Sequence, residues 1–210
     1  MPLSRVEPAR GYGRRSPREG HHSWVDVEDR FCELLGDLVD GEHSSDVLTG
    51  LAQRYSYVVP DNRTLSALTD LGPLVEMGAG TGYWAYRLQA LGADVVAFDQ
   101  APPDRARPNR YHAKTPTWTE VTGGDHTVLA EYSDRTLLLC WPPLFSSLGE
   151  CLVYYSGNTV AVIGDNGHRT ARLRGLNESF ANIAASPVRA LEPLPGVAAT
   201  LSIWRRRSAH

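Results

Sequence analysis

The sequence predicts an α/β protein whose sheet is mostly parallel and is closed by an antiparallel hairpin. Three observations predict it. An apolar run ending in Val75-Glu76-Met77 breaks into three alternating glycines, Gly78, Gly80 and Gly82, and resumes with helical periodicity. A second β-branched run, residues 93–99, follows Gly92 at once and ends in Asp99. Two late runs, residues 188–194 and 198–204, flank Pro195-Gly196 and read as antiparallel strands.

The glycine segment carries the most information. Removing three β-carbons in quick succession lets the backbone turn sharply and lets a ligand approach it closely. Trp84, Ala85, Leu88 and Leu91 then share one helical face, and Gly92 stops the helix. Strand, glycine turn and helix together hold a nucleotide-type cofactor at a helix N-terminus. The dinucleotide fingerprint G-x-G-x-x-G requires a third glycine where this chain has Tyr83, which disfavours a nicotinamide-dependent oxidoreductase. Asp99 stands about 20 residues past the glycines, where an acid bonds a ribose. Two hydroxyls suit the bidentate geometry of a carboxylate.

The run Glu76-Met77-Gly78-Ala79-Gly80-Thr81-Gly82 has the form acid-x-G-x-G-x-G. It resembles the first motif of class I S-adenosylmethionine-dependent methyltransferases at every constrained position. The resemblance covers about residues 55–205. It implies a Rossmann-like, doubly wound, mostly parallel seven-stranded sheet with an antiparallel C-terminal hairpin, helices on both faces and an N-terminal helical cap. It implies S-adenosyl-L-methionine as cofactor. It assigns Glu76, Gly78, Gly80, Gly82 and Tyr83 to the cofactor loop and Asp99 to the ribose. Residues 124–129 resemble the family's loop after the third strand, where Asp125 would meet the adenine amino group. Residues 135–141 form a buried run stopped by Pro142-Pro143. In this fold that strand ends beside the glycine loop, so Cys140, Trp141 and Pro142 are expected at the reacting centre.

The Trp-Pro-Pro segment departs from enzymes that methylate the adenine amino group of DNA. Those carry Asp or Asn before the two prolines and an aromatic residue after them. This chain has Trp141 before and Leu144 after. The polar acceptor for a target amine is missing, which moves the reading toward a small-molecule acceptor with transfer to O, N or a carboxyl group. Trp141 either stacks on a flat substrate, shields the sulfonium by a cation–π contact, or closes the sheet's end as core. The same departure keeps open a relative that binds the cofactor for a non-methylating reaction or acts as a non-catalytic partner.

The remaining elements follow in order. Residues 1–22 are rich in Arg, Pro and Gly and read as a flexible tail. The domain proper then spans residues 23–210, opening with a helical cap over about 23–55. Residues 25–38 place Val27, Phe31, Leu34, Leu35 and Leu38 at helical spacing, and residues 44–55 form a second helix. The connector 55–63 offers Tyr55, Tyr57 and Arg63 to the methionine end or to a substrate carboxylate, which an Arg fork binds bidentately. Helices are expected over 64–71 and 147–154, a strand over 159–164, a polar loop over 165–174 and a helix over 177–185.

With 210 residues and 42% hydrophobic content, one domain with a substantial core is expected. A net charge of −3 argues against a nucleic-acid partner, which needs a basic face. Lys114 is the single lysine among 21 basic residues. Cys32, Cys140 and Cys151 are far apart and odd in number, which points to reduced thiols and a cytoplasmic protein. No run approaches a membrane span, and the polar N-terminus lacks the apolar core of a signal peptide. His21-His22 is too isolated to mark a metal site. A monomer or a homodimer is expected. A hydroxyl or ammonium acceptor must lose a proton, and His112, His126 and His168 are the candidate bases. A carboxylate acceptor would need none.

Overall fold

A computed structural model describes residues 45–105, 107–109, 111–112, 115–142, 147–165, 174–188 and 199–208. The expected tail, the first cap helix, His168 and Pro195-Gly196 lie outside the described residues. Residues 44–210 form one compact unit.

Helix α1 (Ser45–Arg54) leads through the connector into α2 (Asn62–Thr69). Asp61 caps α2 by accepting the Thr64 N–H at 2.7 Å, which satisfies one of the unpaired donors of the first turn. Strand β1 (Leu74–Met77) and helix α3 (Tyr83–Ala90) flank the glycine loop as expected. Strand β2 (Val95–Asp99) ends in its acid. A two-residue strand β3 (Thr122–Gly123) and a 3₁₀ turn (His126–Glu131) precede β4 (Thr136–Cys140). Helix α4 (Ser147–Tyr154) and strand β5 (Thr159–Asp165) come next. A short helix α5 (Arg174–Ser179) leads straight into β6 (Phe180–Val188), and β7 (Ala199–Arg206) closes the chain.

The seven strands lie in the order β3-β2-β1-β4-β5-β7-β6. Strands β1 to β5 pair in parallel, whereas β7 runs antiparallel to both β5 and β6. The sheet is thus the Rossmann-like, mostly parallel one with a terminal antiparallel hairpin. Alternate strand residues supply two cores. Leu74, Ala97, Leu138 and Ala161 pack under Leu65, Leu68, Ala85 and Leu88 of α2 and α3. Val75, Met77, Leu137, Leu139 and Val160 pack under Leu148, Cys151 and Tyr155 of α4 and its end and under Leu176 of α5. Helices therefore cover both faces, and β1 and β4 are buried on both sides, as central parallel strands must be.

The hairpin corrects one expectation. Residues 177–185 are not a helix. Only Arg174–Ser179 is helical, and the strand starts at Phe180. Three alanines, Ala181, Ala184 and Ala185, give that stretch a helical composition. Pairing with β7 overrides it, from Phe180↔Arg206 to Val188↔Ala199. Among the described residues the hairpin's first strand covers 180–188; of the expected run 188–194 only Val188 is described, and it ends that strand. Pro187 is tolerated there because β6 is the edge strand and its ring faces no second partner.

Candidate functional site

The strand ends that carry the glycine loop, Asp99 and Trp141 open into a cavity of about 540 Å³. That lies within the range of small-ligand sites, and its place at the carboxyl ends of parallel strands is where open α/β sheets bind ligands.

The floor is the loop between β1 and α3. Gly78 and Ala79 both donate their N–H to Phe98 O, at 2.8 and 2.9 Å, so the loop is tied to the tip of β2. Gly80 N–H donates to Asp99 Oδ2 at 2.8 Å, and Ala101 N–H donates to Asp99 Oδ1 at 2.8 Å. Asp99 is buried, yet two bonds leave about half of a carboxylate's four acceptor positions open. All three glycines have positive φ, but they serve different ends. A β-carbon on Gly82 would meet Val121 Cγ2 at 2.7 Å, so this glycine allows close packing. A β-carbon on Gly78 would meet nothing within 4 Å, so the space beside this exposed glycine is open.

Glu76 points from β1 toward α3, where its Oε2 accepts the Ala85 N–H at 3.1 Å. The side chain is buried at 2% exposure. Burial pushes its pKa up to about 8, against a lowering effect of the Ala85 bond and with a further upward contribution from Asp99. It lines the cavity as a carboxyl whose burial favours the protonated form.

One wall is aromatic. Tyr57 stacks between Tyr111 and Trp141, with ring centroids 5.2 and 5.6 Å away and planes inclined by 22° and 24°. Trp141 has φ of 51°, the one described non-glycine residue in the left-handed region. Its N–H donates to Ile163 O at 2.8 Å, which anchors the backbone as it leaves β4. In the same cavity, Trp84 Nε1 donates to Ser56 Oγ at 3.0 Å, and Cys140 Sγ lies 3.8 Å from that oxygen. Burial drives the Cys140 thiol pKa upward, which disfavours the thiolate.

The crossover between β2 and β3 forms the far side. Trp118 donates its backbone N–H to Thr81 O at 2.8 Å and its indole N–H to Arg54 O at 2.8 Å. Its ring packs on Tyr55, Tyr83 and Tyr86, and the Arg54 guanidinium lies 4.7 Å from the ring centroid. His112 Nδ1 lies 2.9 Å from Gln53 O. The crossover thus ties α1 to the glycine loop.

The structure brings together Glu76, Gly78, Gly80, Tyr83, Asp99, Cys140, Trp141, Pro142, Tyr55, Tyr57 and His112 along this one cavity. Gly82 sits just behind it as the N-cap of α3. Four expected residues stand elsewhere or outside the described chain. Arg63 is exposed in the first turn of α2 and does not line the cavity. Asp125 is exposed and caps the 3₁₀ turn, accepting from the Thr127 hydroxyl and from Thr127 N–H at 3.0 Å, bonds that hold its pKa below the ordinary range. His126 lies beside Glu150, at 3.8 Å, and Tyr154. His168 is outside the described residues. Sequence reasoning missed Ser56, Asn109 and Tyr111. No local motif marks them, since they reach the cavity only through tertiary packing.

Among the described residues, no group of three or more His, Cys, Asp or Glu side chains is placed to hold a metal ion. No helix of the described residues is long and apolar enough to cross a membrane.

The chain matches no protein-family model and no curated protein sequence. Solved structures resemble it in three dimensions. Magnesium protoporphyrin IX methyltransferase from Synechocystis PCC 6803, with bound SAH, aligns at a TM-score of 0.48 and 13% identity over 88% of this chain and 100% of the other. Thermoplasma acidophilum 1320 aligns at 0.48 and 16%, over 80% of this chain and 100% of the other. A structure described by the conversion of a disulfide bond into a thioacetal group during echinomycin biosynthesis aligns at 0.47 and 16%, over 78% and 93%. Structures named as RNA methyltransferases are also among the matches.

Proposed function

We propose that this protein binds S-adenosyl-L-methionine and transfers its methyl group to a small-molecule acceptor. The observation that carries the reading is the pairing of Gly80 N–H with the buried Asp99 carboxylate on the floor of the cavity. It joins the glycine loop and the second-strand acid in one site, as an adenosyl ligand requires. The site fits that ligand in three further ways. Asp99 keeps acceptor positions for a ribose diol. Gly78 leaves its side open to ligand. Glu76 is a buried acid that a nearby cation would favour in its charged form. When bound, the sulfonium supplies the methyl group, and the protein aligns the acceptor and excludes water.

A small acceptor is favoured by the aromatic wall and by the net charge of −3, which provides no general attraction for a polyanion. The unpaired thiols of Cys140 and Cys151 accord with a reducing, cytoplasmic setting. Calorimetry with S-adenosylhomocysteine tests cofactor binding, and the absence of any binding would remove the reading. Asp99→Ala is expected to weaken that binding by about tenfold to a hundredfold, the loss of charge-assisted bonds of roughly 1.5–3 kcal/mol. A dissociation constant equal to that of the parent would show that Asp99 does not hold the ribose. Labelled methyl donor then separates methyl transfer from turnover without it.

A further inference from the structure

Two features of the cavity are left unused by cofactor binding: an imidazole fixed at one nitrogen, and the row of stacked rings beside it. His112 Nδ1 lies 2.9 Å from the Gln53 carbonyl oxygen. A carbonyl only accepts, so Nδ1 carries the hydrogen, and in the neutral ring Nε2 is left with the lone pair. Nε2 faces the glycine loop, as it is the atom that a β-carbon on Gly80 would meet first, at 2.7 Å. Among the described residues, none donates a hydrogen bond to Nε2. Tyr111 meets the same imidazole edge to face, with centroids 4.8 Å apart and planes at 89°. The ring wall and the free nitrogen are therefore neighbours.

The wall itself selects a shape. At 5.2 and 5.6 Å the rings of Tyr111, Tyr57 and Trp141 are already in stacking contact, so a flat ligand adds to an outer face of the row. The Tyr111 hydroxyl is shut off from solvent and has the Tyr57 side chain as its polar neighbour, in a geometry short of a full hydrogen bond. The described residues that line the cavity include the carboxyls of Glu76 and Asp99 but no Lys or Arg to hold a carboxylate.

We propose that this corner of the cavity binds a planar phenol and that His112 accepts its proton. The phenol O–H bond breaks, its electron pair stays on oxygen, and an N–H bond forms at Nε2. A neutral pair becomes phenolate and imidazolium with no change in total charge, and the proton later leaves to solvent. Acidity selects the class. Ordinary phenol and imidazole differ by roughly 3–4 pKa units, a gap that a site can bridge. An alcohol as weakly acidic as water lies roughly nine units from imidazole. That the phenolate oxygen is the methyl acceptor rests on the reading given under Proposed function, but the proton transfer does not.

The test uses 4-nitrophenol as probe with the full chain and no cofactor, in mildly acidic buffer where the free probe is mostly un-ionised. Equilibrium dialysis measures binding, and the yellow absorbance of nitrophenolate measures ionisation. The bound probe is expected to be about tenfold more ionised than the free one. His112→Gln, whose amide retains a donor for Gln53 O, is expected to bind the probe within about twofold of the parent but to leave it un-ionised. Trp141→Leu is expected to weaken binding about fivefold while the probe that does bind is still ionised. The proposal is overturned if the parent binds no probe, if the bound probe stays un-ionised, or if His112→Gln ionises it as the parent does. Calorimetry with S-adenosylhomocysteine runs alongside. Ionisation of the probe without S-adenosylhomocysteine binding removes the methyl-transfer reading and leaves the proton acceptor in place. The reverse result removes the phenol site alone.

Discussion

Glu76 shows how burying one side chain makes stability depend on pH. Its folded pKa of about 8 exceeds the ordinary 4.5, mainly because burial penalises the anion. Between those values the folded protein holds a proton that the unfolded chain releases. Stability is therefore fully present below pH 4.5 and declines as pH rises toward 8. Glu76→Gln is always neutral and still offers an oxygen to Ala85 N–H. Its unfolding free energy is expected to lack this decline, so that it gains on the parent steadily as pH rises from 4.5 toward 8. Urea denaturation at several pH values checks it, and parallel curves for the two proteins would refute it. A cationic ligand would favour the ionised carboxyl, so binding of S-adenosylmethionine should release protons near pH 7, which calorimetry in buffers of different ionisation enthalpy detects. The glycines divide at the same scale. Gly78→Ala adds a β-carbon at φ 78° with nothing within 4 Å, so it should lower stability by only about 1–2 kcal/mol but sharply reduce cofactor affinity. Gly82→Ala drives its β-carbon to 2.7 Å from Val121, so stability should fall further. Denaturation midpoint and affinity measured on each variant check both statements. A Gly78→Ala protein that binds as tightly as the parent would show that the ligand does not use that side of the loop.

Among the elements, the crossover from β2 to β3 is the unusual one. It contains no helix among its described residues, although its two strands pair in parallel through Phe98↔Thr122. Hydrogen bonds and rings replace helix packing, and Trp118 concentrates them. Trp118→Ala is expected to lower unfolding free energy by about 2 kcal/mol, less than a fully buried Trp because this side chain is half-buried. It should also weaken S-adenosylhomocysteine binding several-fold, because α1 loses its tie to the loop. Denaturation and calorimetry on one preparation read both effects, and an unaltered affinity would show that the crossover does not shape the cavity. The elements also differ in how far the sequence discloses them. The glycine loop, α3 and Asp99 are legible because their constraints are local: φ sign, helical period and a strand-end acid. Strand β6 is illegible because its residues from Ala181 to Pro187 are all exposed or half-exposed, so no period-two pattern is imposed on it. The Tyr111–Tyr57–Trp141 row is illegible for another reason. Its members come from three separate connections, and only the folded sheet brings them side by side.

For the molecule as a whole, the cavity and the corner that most tightly fastens the strands lie at opposite ends of the sheet. The cavity lies at the carboxyl ends of β1, β2 and β4. The other end is fastened by Tyr155, a buried residue whose hydroxyl lies 2.6 Å from Arg135 O and 2.7 Å from Thr159 O and accepts the Leu137 N–H at 3.3 Å. Arg206 secures the same corner from β7, donating to Gly157 O at 2.8 Å and Tyr155 O at 2.9 Å while its guanidinium lies over Phe180. One phenol therefore joins the starts of β4 and β5, and one arginine adds the hairpin to them. A strand of five residues separates this corner from the cavity by roughly 15 Å, so the two ends share no contacts. Tyr155→Phe removes the hydroxyl and leaves buried backbone groups without it, which should lower unfolding free energy by about 1–3 kcal/mol. Mutations so far apart with no shared partner act independently, so S-adenosylhomocysteine affinity should match that of the parent wherever the variant stays folded. Asp99→Ala should do the opposite, losing affinity with little change beyond the bonds it makes to Gly80 and Ala101. The double variant should show the sum of the two stability losses and the affinity of Asp99→Ala alone. A Tyr155→Phe protein that is fully folded yet binds several-fold more weakly would mean that the sheet transmits strain along its strands, and that the cavity's shape depends on how tightly its far end is closed.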